Sequence, residues 1–233
     1  MNEFIEKIHS TGYWDVKIRP SQYESERVKD LGECKKIIDE SAVLLRGWDY
    51  PHFDLPKIEH GIDFIGSGVD FLSHIEYWRF HQTGQFIHHF ACMEEYEIDV
   101  EKIPFMSARN PSPSGKYLSI LNTLYTLTEI FLFASRLASK AILDPECNIA
   151  ITFHGMKDRQ LIFLDHGRYL RRAYISSLDE IPFSGTYTIP ELTSDYARLA
   201  RVAMKWIFDR FQWTDITESH FTEEQTNFLE RNW

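Results

Sequence analysis

The segment from Tyr117 to Ile142 constrains the fold more than any other part of this chain. Within it, "ILNTLYTLTEIFLFASRLA" carries apolar residues around most of a helical circumference, so a helix here must be covered on more than one side. It therefore has to be a central element with other layers packed around it. Asn122, Glu129, Arg136 and several threonines interrupt the run, which argues against a membrane span.

The flanking sequence supplies those layers. "YWDVKIRP" alternates Trp14, Val16 and Ile18 with Asp15, Lys17 and Arg19, the period of a half-buried strand closed by Pro20. "DLGECKKIIDES" offers Asp30 as N-cap, with Glu33 three residues on and Leu31, Cys34, Ile37 and Ile38 on one helical face. "AVLLRGW" reads as a short buried strand. Two hairpins are expected next: "IDFIGSGVDFLSHI", turning at Gly66-Ser67-Gly68, and "EYWRFHQTGQFIHHFACM", turning at Thr83-Gly84. After the turn-rich "SARNPSPSGK" and the central helix, "NIAITFHGMKDRQLIFL" reads as a third hairpin. An amphipathic helix starts at Pro190, and a last helix starts at Thr222 with Gln225 in capping-box position. The expected fold is α+β: a mixed or antiparallel N-terminal sheet with two hairpins and a packed helix, then the long buried helix, a hairpin and two C-terminal helices. The segments are 1–106, a linker or surface loop at 107–116, and 117–233, unless the halves form one continuous domain.

Charge limits the partners. The formal net charge is −10, with a sequence pI near 5.5, which opposes wholesale binding to nucleic acid or to an anionic membrane. Any such contact has to be local. Three widely spaced cysteines, Cys34, Cys92 and Cys147, suit a reducing compartment, and "MNEFIEKIHS" lacks the basic-then-apolar order of a signal peptide. These features predict a cytoplasmic location.

Three stretches carry candidate chemistry. In "EYWRFHQTGQFIHHF", a two-residue turn at Thr83-Gly84 sets Arg79 opposite His88 and Trp78 opposite His89. One face then holds Trp78, Phe80, Ile87 and His89. The other holds Tyr77, Arg79, His81, Phe86, His88 and Phe90, and Arg79, His81 and His88 would grip an anion or a planar base between aromatic walls. A three-residue loop would break that register. The competing reading buries both faces and pairs Arg79 with an acidic neighbour such as Glu76.

The second stretch, "RGWDYPHFD", is a loop in which Arg46 suits an anion, while Asp49, His52 and Asp54 suit a metal or an acid–base pair. Its competing reading is a structural turn with Trp48 and Phe53 packed inward. The third is a basic run of Lys157, Arg159, His166, Arg168, Arg171 and Arg172, to which Arg198, Arg201 and Lys205 add a helical face. Here the alternative is a solvated loop with ion pairs to Asp195, Asp209 and Glu180. No dinucleotide fingerprint, P-loop, zinc-protease motif or nucleophile elbow is present.

The phrases "RGWDYPHFD", "EYWRFHQTGQFIHHF" and "TEIFLFASRLA" resemble a group of uncharacterised bacterial proteins, some of which neighbour phage-defence genes. The likeness covers most of the chain and implies a defence setting, but no activity, fold or residue role.

The function expected from these features is a non-catalytic recognition or adaptor subunit. It would bind an anionic partner, nucleic acid or nucleotide, through Arg46, Arg79, His81, His88, Arg159, Arg168, Arg171 and Arg172, and dock on another protein subunit. No cofactor and no membrane are expected, and the sequence leaves homo-oligomerisation open. The alternatives are a metal-dependent hydrolase or nuclease built on Asp49, His52 and Asp54, and a purely structural assembly protein.

Overall fold

Trp14, Val16 and Ile18 are buried while Asp15, Lys17 and Arg19 point the other way, so the first strand separates an inner from an outer sheet face as its alternation requires. This computed structural model describes residues 3–52, 58–71, 74–97, 114–165 and 167–231. The elements in chain order are α1 (Glu3–His9), β1 (Tyr13–Pro20), α2 (Leu31–Ser41), β2 (Val43–Leu44), β3 (Asp49–Tyr50), β4 (Glu59–His60), β5 (Phe64–Phe71), β6 (His74–His81) and β7 (Phe86–Ala91). They continue with α3 (Glu94–Glu97), β8 (Tyr117–Ser119), α4 (Ile120–Ala138), β9 (Glu146–His154), β10 (Gln160–Ile162), β11 (Ile181–Thr188), α5 (Ile189–Asp209) and α6 (Thr222–Glu230).

The fold is α+β, organised on a seven-stranded sheet of order β11-β9-β1-β7-β6-β5-β4, with every pairing antiparallel. β1 lies between β7 and β9, so strands from both sides of the expected boundary share one sheet. The turn-rich segment at that boundary lies mostly outside the described residues. α4 covers the inner face, where Phe133 meets Phe86 and Phe131 meets Phe183 and Tyr187, and α5 packs beside it. Ser119 caps α4 by accepting from the Asn122 N–H, Asp30 caps α2 through Glu33 N, and Thr188 caps α5 through Glu191 N. No described helix is long and apolar enough to cross a membrane.

Four local expectations are corrected. Gly66, Ser67 and Gly68 do not turn the chain; they lie inside the continuous strand β5. A Cβ on Gly68 would sit 2.9 Å from the Phe4 ring, and one on Gly66 would sit 2.8 Å from the Trp78 carbonyl oxygen. Gly68 thus makes room on the outer face for α1, whose Phe4, Ile5 and Ile8 pack against Ile75 and Tyr77, while Gly66 allows the close approach of β6.

The Thr83-Gly84 hairpin forms, but its loop has three residues. His81 N–H donates to the Gln85 carbonyl and Gly84 N–H donates to the His81 carbonyl, with Gly84 at φ +81°. Trp78 therefore pairs with His88 and Arg79 with Ile87, one position away from the expected register.

The third hairpin does not close. Both edges of β9 are occupied, by β1 and β11, so β10 runs parallel to β8 instead. At the start of α6, Gln225 forms no capping box. Its amide is drawn into the interior, donating to Thr128 Oγ1 and the Ala197 carbonyl. The sequence reading also missed α1 and β11. β11 does carry strand formers, with Ile181, Phe183 and Tyr187 buried at even spacing, but Pro182 and Gly185 interrupt the run.

Candidate functional site

The one-residue change in register divides the expected anion site. His88 now faces inward with Trp78, Phe80, Phe86 and Phe90, whereas Arg79 and His81 face outward. Arg79 donates from Nε to Tyr77 Oη at 2.7 Å, lies over the Phe64 ring and has Glu59 at 3.7 Å; Glu76 is on the opposite face. His81 Nδ1 is 3.4 Å from Asp63 Oδ2. Arg79 and His88 cannot hold one ligand between them.

His88 instead joins a polar network behind the loop that carries Arg46, Asp49 and His52. Glu76, buried on β6, accepts the His52 backbone N–H at 2.7 Å through Oε1 and has His74 Nε2 at 2.8 Å from Oε2. His88 Nε2 lies 3.3 Å from the same Oε2 without forming a hydrogen bond, while its Nδ1 meets Tyr50 Oη at 3.2 Å. Burial alone would raise the Glu76 pKa, yet the two imidazoles outweigh it and hold the carboxyl well below its usual range. Burial pulls the His74 pKa down, and the Glu76 carboxylate more than reverses this, so it ends raised.

Arg46 closes the other side of this cleft. It reaches Asn122, Thr126 and the buried Glu129, which the helical repeat of α4 sets on one face. Burial raises the Glu129 pKa, with Arg46 opposing. Between these groups, with Trp14, Trp48, Asp49 and Phe90 also in the lining, lies a cavity of about 30 Å³. That admits about two waters. The network is closed on itself: its charges face one another, and its evident effect is to tie the 46–52 loop to the sheet, helped by Trp78 Nε1 donating to the His52 carbonyl. His52 acts here through its backbone, and Asp54 lies outside the described residues. Among the described residues no three His, Cys, Asp or Glu side chains are placed to share a metal ion.

The expected basic patch is largely consumed by the fold. Arg159, 1% exposed, is locked onto Glu95 and the carbonyls of Tyr117 and Gly155. Arg168 lies between Asp165 and Glu224, and Arg172 reaches the Gln212 carbonyl beside the Tyr174 ring. On α5, Arg198 pairs with Asp195 and Glu191, Arg201 with Gln225 and Lys205 with Asp209. His166 lies outside the described residues, and Glu180 pairs with His154 rather than with this run. Arg171 is exposed. The cysteines offer no nucleophile: burial pushes the Cys34 and Cys147 thiols up to about 12 and raises Cys92 as well.

The outer sheet face holds a cleft that the sequence reading passed over. Arg19, exposed at the end of β1, stands beside Asn148 of β9, while Gln85 immediately precedes the partner of Ile18 on β7. With Ser21, Gln22, Tyr23 and Thr83 they enclose about 330 Å³. Lys17, on the same face, is tied to Asp15 at 2.7 Å. Of the arginines among the described residues, Arg19 and Arg171 are those with no ion pair, hydrogen bond or ring contact. Of the two, Arg19 lines a cleft. The signal available in sequence was the alternation of β1, which already pointed Arg19 away from the core. Comparison with known protein families, with characterised proteins and with solved structures finds no match to this chain.

Proposed function

We propose that this chain is a non-catalytic recognition or adaptor subunit that reads an anionic group of its partner on the outer sheet face and docks on another protein. The observation that carries the reading is Arg19, an unpaired guanidinium at the wall of an open polar cleft, whereas Arg46 in the inner cleft is neutralised by Glu129. The surrounding amides, hydroxyls and tyrosine are groups that hold ligands; no base or activated nucleophile stands among them. The overall charge of −10 confines the contact to this spot and gives it selectivity over bulk polyanions. Leu164, Tyr169 and Leu178, exposed on the long connection between β10 and β11, supply apolar surface for the protein partner. A defence setting, which the resemblance implies, suits a subunit that reads nucleic acid or a nucleotide.

The test is fluorescence anisotropy with a short labelled single-stranded oligonucleotide across a salt series. Wild type is expected to bind with affinity that falls as salt rises, Arg19→Ala to lose most of that binding, and Arg171→Ala to keep it. Equal affinity and equal salt slope in Arg19→Ala and wild type would overturn the reading.

A further inference from the structure

The outer cleft has more in it than an anion requires. We infer that it seats a single nucleoside phosphate unit, with the phosphate on Arg19 and the base against Tyr23; this rests on the assignment of the same cleft as the anion-reading site.

The available space comes first. A volume of about 330 Å³ stands at the lower end of small-molecule sites, suited to one nucleotide and too small for two side by side. A bare phosphate would leave most of it empty. The walls then divide by chemistry. Arg19 is a planar fork with two-pronged donors for phosphate oxygens. Gln22, Gln85 and Asn148 bring side-chain amides, each with a carbonyl acceptor and an NH₂ donor, the complement to the mixed edge of a nucleobase. Asn148 Oδ1 already accepts from Thr186 Oγ1 at 2.8 Å, and its Nδ2 has no partner among the described residues. Tyr23 is 84% exposed, with no ring partner among the described residues. So large a free aromatic surface beside a free arginine is the pairing by which proteins hold unpaired nucleotides.

The charge around the cleft is arranged in the same sense. Asp144, which holds the loop after Arg19, is taken by Arg27 at 2.9 Å and by the Gln22 backbone N–H at 2.6 Å. Glu24 also faces Arg27. Those contacts fix the Ser21–Arg27 loop that carries Tyr23, so the ring is presented from an anchored support. Neither carboxylate pairs with Arg19.

The nucleoside phosphate can be free or can be one residue of a single strand; both present the same chemistry. Calorimetric titrations of the full chain with adenosine 5′-monophosphate, cytidine 5′-monophosphate, adenosine, inorganic phosphate and a short single-stranded oligonucleotide separate the cases. The monophosphates are expected to bind at least tenfold more tightly than either phosphate or adenosine. Arg19→Ala is expected to reduce monophosphate binding at least tenfold, and Tyr23→Ala to reduce it by about 5- to 150-fold toward the level of phosphate alone. Both positions are exposed, so unchanged circular dichroism melts certify the variants. Monophosphates outbinding the oligonucleotide would assign a free nucleotide; an oligonucleotide binding more tightly, with the same variant losses, would assign a strand. Phosphate binding that equals the monophosphates, depends on Arg19 and is indifferent to Tyr23→Ala would overturn the nucleotide inference while leaving the anion-reading assignment intact. Failure of every ligand to bind would remove both.

Discussion

Glu76 shows what one residue can decide. It is a buried carboxylate on a core-facing strand position, normally a strong penalty, and it stays charged because His74, His88 and the His52 N–H converge on it. Replacing it with glutamine leaves the His74 imidazole without its counter-charge. Glu76→Gln is expected to destabilise the fold by about 3–5 kcal/mol in urea titration. In histidine-resolved NMR it should also bring the His74 pKa down. The sign follows from linkage: His74 is raised in the folded state, so its stabilising share is complete below about pH 6.5 and fades as pH rises through its folded value. A His74 titration midpoint at or below that of a free histidine in wild type would contradict the network. At the outer cleft, Arg19→Ala touches no internal partner and is expected to shift stability by less than about 0.5 kcal/mol. Sequence alternation already showed that Arg19 points outward. It could not show that Glu76 is the hub, because strand position gives a side chain its face but not the long-range partners that make burial tolerable.

At the scale of elements, single turn residues determine which side chains meet. One extra residue in the β6–β7 loop moves His88 from the face of Arg79 to the core, since the side-chain period of a strand is two. Gly84 holds that loop at φ +81° and has the Ile142 carbonyl 3.0 Å from where a Cβ would be. Gly84→Ala is therefore expected to cost about 1–2 kcal/mol in thermal or urea unfolding, more than a substitution at an exposed glycine with room and ordinary φ. The glycines of β5 act by space, not by conformation. Gly66→Ala meets backbone and should destabilise more than Gly68→Ala, which meets the Phe4 ring and should be partly rescued by Phe4→Ala. These outcomes were not legible locally. "GSG" and "TG" carry the same turn chemistry in sequence, and what separates them is that α1 packs over one and not the other. The central helix was legible, because an apolar circumference can be satisfied in only one way. β10 was misassigned because a hairpin needs a free edge, and whether β9 has one depends on β1 and β11.

At the scale of the molecule, β1 pairs with β7 on one side and β9 on the other, and one apolar cluster extends from Trp14 to Phe221. Neither half has a complete sheet without the other. Tryptophan fluorescence and far-UV circular dichroism should accordingly report a single coincident urea transition, and two separated transitions would mean independently folding units. The same sheet separates the two clefts. Its inner side holds a charge network closed around about 30 Å³, and its outer side holds an unpaired arginine in about 330 Å³. We propose that recognition takes place on the outer side. Amide chemical-shift mapping of the labelled chain with adenosine 5′-monophosphate tests this most directly. The expected result is a set of shifts confined to Arg19, Gln22, Tyr23, Thr83, Gln85 and Asn148; shifts centred on Arg46, Trp48, His74 and His88 would contradict it.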